Sequence, residues 1–97
     1  SRRRIVPMDD VVTKYYLRCT TVDRPGVIAA ISRELGQRNI GLTSVILRET
    51  ARGAYSTILF MTHRAREADM QAARTIIDAL PVVKARSVLL RVETDIN

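Results

Sequence analysis

The residues best placed to do chemistry stand together at Asp23-Arg24-Pro25-Gly26, between a half-polar strand pattern and an apolar run that begins at Val27. Proline and glycine side by side at a strand-to-helix handover admit two readings. One is a plain turn. The other is a helix start left open to something small and charged. The first N–H groups of a helix have no partner within it, and with the positive end of the helix dipole they hold a carboxylate or phosphate. Gly26 has no Cβ, so a ligand can approach the backbone there. Arg24 can clamp an anion or, beside Asp23, simply stay solvated.

Bond-making chemistry is poorly served elsewhere. His63 is the sole histidine, lies beside Arg64 and Arg66 after a strand, and reads as an exposed loop residue rather than a general base. Cys19 falls mid-strand and reads as a small core hydrophobe. One histidine and one cysteine supply neither a metal-ligand set nor a thiol–imidazole pair. No glycine-rich dinucleotide or phosphate-loop motif occurs.

The elements that must position the turn follow from periodicity. Residues 15–22 are aromatic and β-branched, a strand with Leu17 and Cys19 on one face and Tyr16 and Arg18 on the other. Val27, Ile28, Ile31 and Leu35 form a helical stripe. Asp23 is the expected N-cap and Pro25 suits the first turn. The helix is expected to end near Arg38-Asn39, with Gly41 making the turn. Residues 42–49 and 54–62 read as strands joined by a hairpin loop at 50–53, with Gly53 at positive φ. A second helix is expected over 67–80, with Glu67 and Asp69 at its start, where the dipole favours acids, and Pro81 stopping it. Residues 83–93 read as a last strand with Val88, Leu90 and Val92 on one face.

The order β-α-β-β-α-β implies an α+β, ferredoxin-like plait, a four-stranded antiparallel sheet with two helices on one face. Residues 1–14 read as a lead-in or linker, 15–93 as the domain and 94–97 as a tail. The second face of such a sheet is bare. Tyr16, Arg18 and Leu89 are expected there, and with the unpaired strand edges they invite a partner.

The 97 residues make one domain, and 46% hydrophobic with 27% charged residues is the profile of a folded globular chain. A core this small often leans on a partner. The net charge is +6 and the pI about 10.4, but beyond Arg2, Arg3 and Arg4 the basic residues are interspersed with acids. That favours a basic surface over a nucleic-acid contact. The plait is also an RNA-recognition architecture, which stacks bases on strand aromatics such as Tyr16 and Phe60 would have to be. Aromatics make up only 4% of the chain, and Ile58 and Phe60 read as core. A lone cysteine excludes an internal disulfide and fits a reduced, cytoplasmic setting. No apolar run approaches the roughly 18 residues of a membrane span, and no signal peptide is visible. A start at Ser1 rather than Met implies processing or a piece of a longer protein.

"YYLRCTTVDRPGVIAAISRELGQRNIGLTSVILRE" resembles an ACT domain, a small amino-acid-binding regulatory module, in its strand, its D-x-P-G-V turn and the helix leading to Asn39-Ile40. "PMDDVVTKYYLRC", "THRAREADMQAA" and "IDALPVVKARSVLLRVE" further resemble the carboxy-terminal segment of bacterial homoserine dehydrogenases, over roughly residues 6–93. That resemblance implies the regulatory tail of an enzyme reducing aspartate semialdehyde to homoserine with NAD(P), whose catalytic and cofactor regions lie upstream. It implies no catalysis and no cofactor in this piece. It implies feedback sensing with threonine as effector, contact with the catalytic region, and side-by-side pairing of copies with the amino acid at their interface. By matching position, the site residues it implies are Asp23, Arg24, Pro25, Gly26, Val27 and Ile28 from the turn, then Asn39, Ile40 and Ser44. Alternatives are a purely structural dimerisation domain, the ACT module of another regulated protein such as a stringent-response enzyme, and a basic plait whose nucleic-acid affinity falls steeply with salt.

Overall fold

The computed structural model describes residues 7–49 and 55–92. After a short 3-10 turn at Met8–Asp10, the elements run β1 (Val12–Val22), α1 (Val27–Gly36), β2 (Leu42–Glu49), β3 (Tyr55–Thr62), β4 (Ala65–Arg66), α2 (Glu67–Asp78) and β5 (Val88–Val92). The α+β plait expected from the sequence is present. Its sheet has five strands rather than four, because the two-residue β4 pairs with the start of β1, Val12 opposite Arg66 and Thr13 opposite Ala65. The first strand therefore begins at Val12, three residues before the expected start. The hairpin loop at 50–53, with the turn expected at Gly53, lies outside the described residues.

Alternation along β1 turns Tyr15, Leu17, Cys19 and Thr21 inward, all fully buried. Opposite them on β3, Phe60 faces Leu17, Ile58 faces Cys19 and Ser56 faces Thr21. Val27, Ile31 and Leu35 of α1 and Met70, Ala73 and Ile77 of α2 close over this face in one cluster. Each large aliphatic side chain buried so contributes about 1.5–3 kcal/mol, and this layer fixes where β1 hands over to α1.

Between the β3 and β4 pairings the register along β1 steps by one residue, and Tyr15 lies in the gap. Its N–H donates to Thr62 Oγ1 at 3.0 Å, so a side chain completes the ladder there. The helix ends differ from expectation. Asn39, not Gly41, takes the left-handed conformation after α1, at φ 59, and Ile40 N–H donates back to Leu35 O at 3.0 Å. Helix α2 stops at Asp78, before Pro81 is reached, because the chain then tightens: Ala79 N–H bonds Ile76 O and Leu80 N–H bonds Ile77 O. Residues 82–84 run beside the end of β1, where Lys84 N–H donates to Thr20 O at 2.8 Å. Regular pairing in β5 starts only at Val88. The β5 register puts Val88 opposite Arg18, Leu90 opposite Tyr16 and Leu89 opposite Leu17. Leu89 is thus packed against the core, and Val88, Leu90 and Val92 share the bare face, the reverse of the expected phase.

Candidate functional site

The turn at the end of β1 differs from expectation in a way that matters. Asp23 does not cap α1, and Pro25 lies before the helix rather than within it. Gly26 is the N-cap, at φ 90 and ψ −8, and no side chain bonds the helix start. The first helical bond runs from Ala30 N–H to Gly26 O at 3.0 Å. The N–H groups of Val27, Ile28 and Ala29 precede that bond and have no partner within the ladder. A Cβ built at Gly26 would meet no atom within 4 Å, so glycine is there for its backbone conformation and faces open space.

That space is a cavity of about 650 Å³ between the turn, the start of α1, and β2 and β3, within the size range of small-molecule sites. Its walls are apolar, with Val27, Ile28, Leu47 and Ile58, and Asp23 and Arg24 are exposed at its mouth. Thr21 and Ser56, adjacent across the β1–β3 pair, form its floor. Thr21 Oγ1 is buried and has no hydrogen-bond partner. An unmade hydrogen bond of this kind costs about 1–3 kcal/mol.

Of the residues implied by the resemblance, Asp23, Arg24, Pro25, Gly26, Val27 and Ile28 all line this cavity. Asn39, Ile40 and Ser44 do not. Asn39 and Ile40 follow the far end of α1, a helix about 15 Å long, where Ile40 belongs to the core. Ser44 sits opposite Met61, beside a register shift in β2. Thr21, Val22, Ala29, Leu47, Ser56 and Ile58 also line the cavity and lie outside the implied set. The alternation of β1 turns Thr21 inward, but only the pairing of β1 with β3 brings Ser56 beside it.

The remaining reactive and aromatic groups weighed above do not line this cavity. Burial pushes the Cys19 thiol up to about 12, with nearby Asp78 adding to the effect, so it carries almost no thiolate at neutral pH. His63 is exposed, and its backbone N–H donates to Gly41 O at 2.9 Å. Phe60 is fully buried and unavailable for stacking. Among the described residues no group of three acidic, histidine or cysteine side chains could hold a metal, and no helix is long and apolar enough to cross a membrane. A charged cluster around Glu67 is structural. Glu67, 1% exposed, accepts hydrogen bonds from Tyr15 Oη at 2.5 Å, Gln71 Nε2 at 2.8 Å and the Arg91 guanidinium. Burial, then the neighbouring Glu67, raises the Tyr15 hydroxyl well above the usual phenol range. A carboxylate held charged and a phenol held neutral exchange no proton near pH 7. This arrangement suits binding, with donors at a helix start above an apolar pocket, rather than bond-making.

The plait, the glycine-capped turn and the cavity beneath it define a class of small regulatory module. Residues 15–82 match the ACT domain family, and the chain belongs to it. More particularly, it is similar to homoserine dehydrogenases. It is 37% identical over 90 residues to that of Methylobacillus glycogenes, covering 92% of this chain and 22% of that one. A crystal structure of a homoserine dehydrogenase from Thiobacillus denitrificans superposes with a TM-score of 0.83 at 33% identity, over 96% of this chain and 20% of the other. The chain thus spans about a fifth of the length of the curated relatives it matches. The ACT domain from the GTP pyrophosphokinase of Chlorobium tepidum shares the fold alone, with a TM-score of 0.64 at 12% identity over 82% of this chain and all of that one.

Proposed function

We propose that this domain is the amino-acid-sensing regulatory part of a homoserine dehydrogenase. In this reading it binds a small α-amino acid, threonine first among the candidates, in the cavity under the Asp23–Gly26 turn. Catalysis and the NAD(P) site belong to parts of the enzyme outside this chain. The observation that carries the reading is the helix start of α1, capped only by a glycine at φ 90 and opening onto a cavity. A zwitterion needs donors for its carboxylate, and the N–H groups of Val27 to Ala29 supply them. Its ammonium needs an acceptor, and Asp23 stands at the mouth. Its side chain needs an apolar wall, given by Val27 and Ile28.

Pairing of copies belongs to the same reading. Strand β2 pairs with β3 along one side and carries Val45, Ile46 and Leu47 in succession, 37%, 41% and 50% exposed. An apolar strand edge of this kind is a template for another chain, and Leu47 also lines the cavity. A second copy lying against β2 would close the cavity and is the route by which Asn39 and Ser44 would reach it, while Ile40 stays in the core. Ligand and pairing would then stabilise each other, typically by about 1–3 kcal/mol. The exposed β2 edge also supports a second reading, a dimerisation clasp that binds no ligand.

Thermal unfolding against a panel of amino acids separates the two, with L-threonine tested first and D-threonine as control. A ligand at about 100 times its dissociation constant adds about 2.7 kcal/mol, a shift of several degrees in a domain this size. A shift with the L-enantiomer alone is expected. No shift with any amino acid, together with a concentration-dependent dimer, would leave the clasp.

A further inference from the structure

The sheet face turned away from the helices is apolar where a face in water would be polar. Residues directly opposite on antiparallel strands share a face, and two cross-strand rows run over this one from β2 to β5. The first is Ile46, Leu59, Arg18 and Val88, and the second is Ser44, Met61, Tyr16 and Leu90. Ile46, Val88 and Leu90 stand 41%, 38% and 54% exposed. An antiparallel sheet with one face in water turns its apolar residues inward and its polar ones outward. Here the outward rows are mostly apolar, and a contiguous patch of that kind marks an interaction site. The charges on this face have one sign. Arg18 lies between Leu59 and Val88, Lys14 lies beyond the second row opposite Val92, and Arg48 lies beyond the first opposite Thr57. Among the described residues none of the three is in an ion pair, and no acidic side chain shares the face.

We propose that this face is the docking surface for the remainder of the enzyme, and that it meets there a surface carrying carboxylates around an apolar centre. The inference rests on the reading above, in which this chain is about a fifth of a longer enzyme. A partner that covers the rows takes Arg18 out of water with them. A guanidinium buried without a counter-charge is costly, so the covering surface must bring a carboxylate to it. Lys14 and Arg48 extend the same demand to the rim. A second copy laid face to face brings cations to cations. A nucleic acid meets the cations, but Ile46, Val88 and Leu90 give its bases no ring to stack on. The rest of the enzyme is in addition tethered to this domain, at an effective concentration in the millimolar range.

Thiol footprinting tests this. Leu90→Cys places a thiol on the open part of the face, and Ala72→Cys places one on the exposed side of α2 as a control. Both variants are labelled with a maleimide in the dilute chain and in the full-length enzyme, and each position is read by peptide mass spectrometry. Against an effective concentration near 1 mM, a contact of only about 0.1 mM strength leaves the face open about a tenth of the time, so Leu90→Cys should react about tenfold more slowly in the full-length enzyme. Ala72→Cys should react alike in both. Adding Arg18→Glu should return Leu90→Cys to its rate in the isolated chain, and Arg48→Glu carries this arm if Arg18→Glu does not fold. Equal rates for Leu90→Cys in chain and enzyme, or equal slowing at both positions, overturn the inference, as does protection that survives the charge reversals. Protection in the chain alone that grows with its concentration assigns the face to a second copy, and protection removed by nuclease assigns it to nucleic acid. Either overturns the inference too. The footprint needs no bound amino acid. An enzyme that responds to no amino acid but shows the protection loses the sensing reading and keeps this inference, and one that responds to threonine with an open face does the reverse.

Discussion

Arg91 on β5 sets Nε and Nη2 against the two carboxylate oxygens of Glu67 on α2, at 2.9 and 2.6 Å, a two-pronged ion pair whose acid is buried and whose base is half exposed. Burial alone would push the Glu67 carboxyl up. The hydrogen bonds from Arg91, Tyr15 and Gln71 outweigh it and hold the group at about 2. The folded chain thus binds fewer protons here than the unfolded chain, whose glutamate titrates near 4.5. The stabilisation is fully present above that unfolded value and is lost as pH falls toward about 2, with an upper limit of about 3 kcal/mol. Chemical denaturation between pH 6 and 2 should show this fall, and Glu67→Gln should flatten it. An equally steep profile in the variant would place the acid sensitivity elsewhere.

This network also marks where the sequence ceases to be legible. The stripe of Val27, Ile31 and Leu35 and the inward set of β1 are local periodicities, and they read correctly, whereas the strand-to-helix turn was legible in place but not in its cap, which is Gly26 and not Asp23. Glu67 read only as an acid at a helix start, because its partners Tyr15 and Arg91 lie 52 and 24 residues away. The same distance effect hid the phase of β5. Val88, Leu90 and Val92 are the more apolar alternate set, yet they face outward. Arg91 turns inward because Glu67 receives it, and Ser87 because its N–H meets Asp78 Oδ1 at 3.1 Å and its Oγ meets Arg74 Nε at 3.1 Å. Six cavity residues were legible from the turn. The floor was not, since it forms only when β3 is laid beside β1.

Cys19 should be inert while the domain is folded. It is fully buried, and its thiol is pushed up to about 12. Titration with a thiol-specific chromogenic reagent at pH 8 should show no reaction in native buffer and one thiol per chain in denaturant. Rapid native labelling would mean that β1 and α2 part far more often than the packing implies.

Gly41 is a glycine for a different reason from Gly26. A Cβ there would come within 3.0 Å of His63 Cδ2, an exposed side chain able to move. Gly41→Ala should therefore cost only about 0.5–1 kcal/mol. In a His63→Ala background the cost should shrink, and a double-mutant cycle by urea unfolding measures the difference. Additive costs would mean that the backbone at Gly41, not His63, resents the methyl.

The pairing reading makes Ile46 the residue to charge. It lies in the middle of β2, opposite Leu59, 41% exposed and outside the cavity lining. Ile46→Lys places on the strand edge the residue type that blocks edge-to-edge association. Sedimentation equilibrium should show dimers of the wild type dissociating to monomers in the variant, with melting shifted only by the lost association. A variant that remains dimeric would move the interface away from β2.

Gly26 joins the turn to the cavity, so its substitution separates fold from function. At φ 90 any side chain is strained, and a β-branched one most of all, which costs about 1–3 kcal/mol. The empty protein offers no steric objection, because no atom lies near the added Cβ. Gly26→Ala and Gly26→Val should therefore both fold, with midpoints several degrees lower. A ligand seated on the N–H groups of α1 would meet the new side chain directly. The shift induced by L-threonine should then shrink in Gly26→Ala and vanish in Gly26→Val at the same ligand concentration. A folded Gly26→Val that keeps the full wild-type shift would mean that the amino acid enters elsewhere, and that this cavity is only the hollow left by a tight turn.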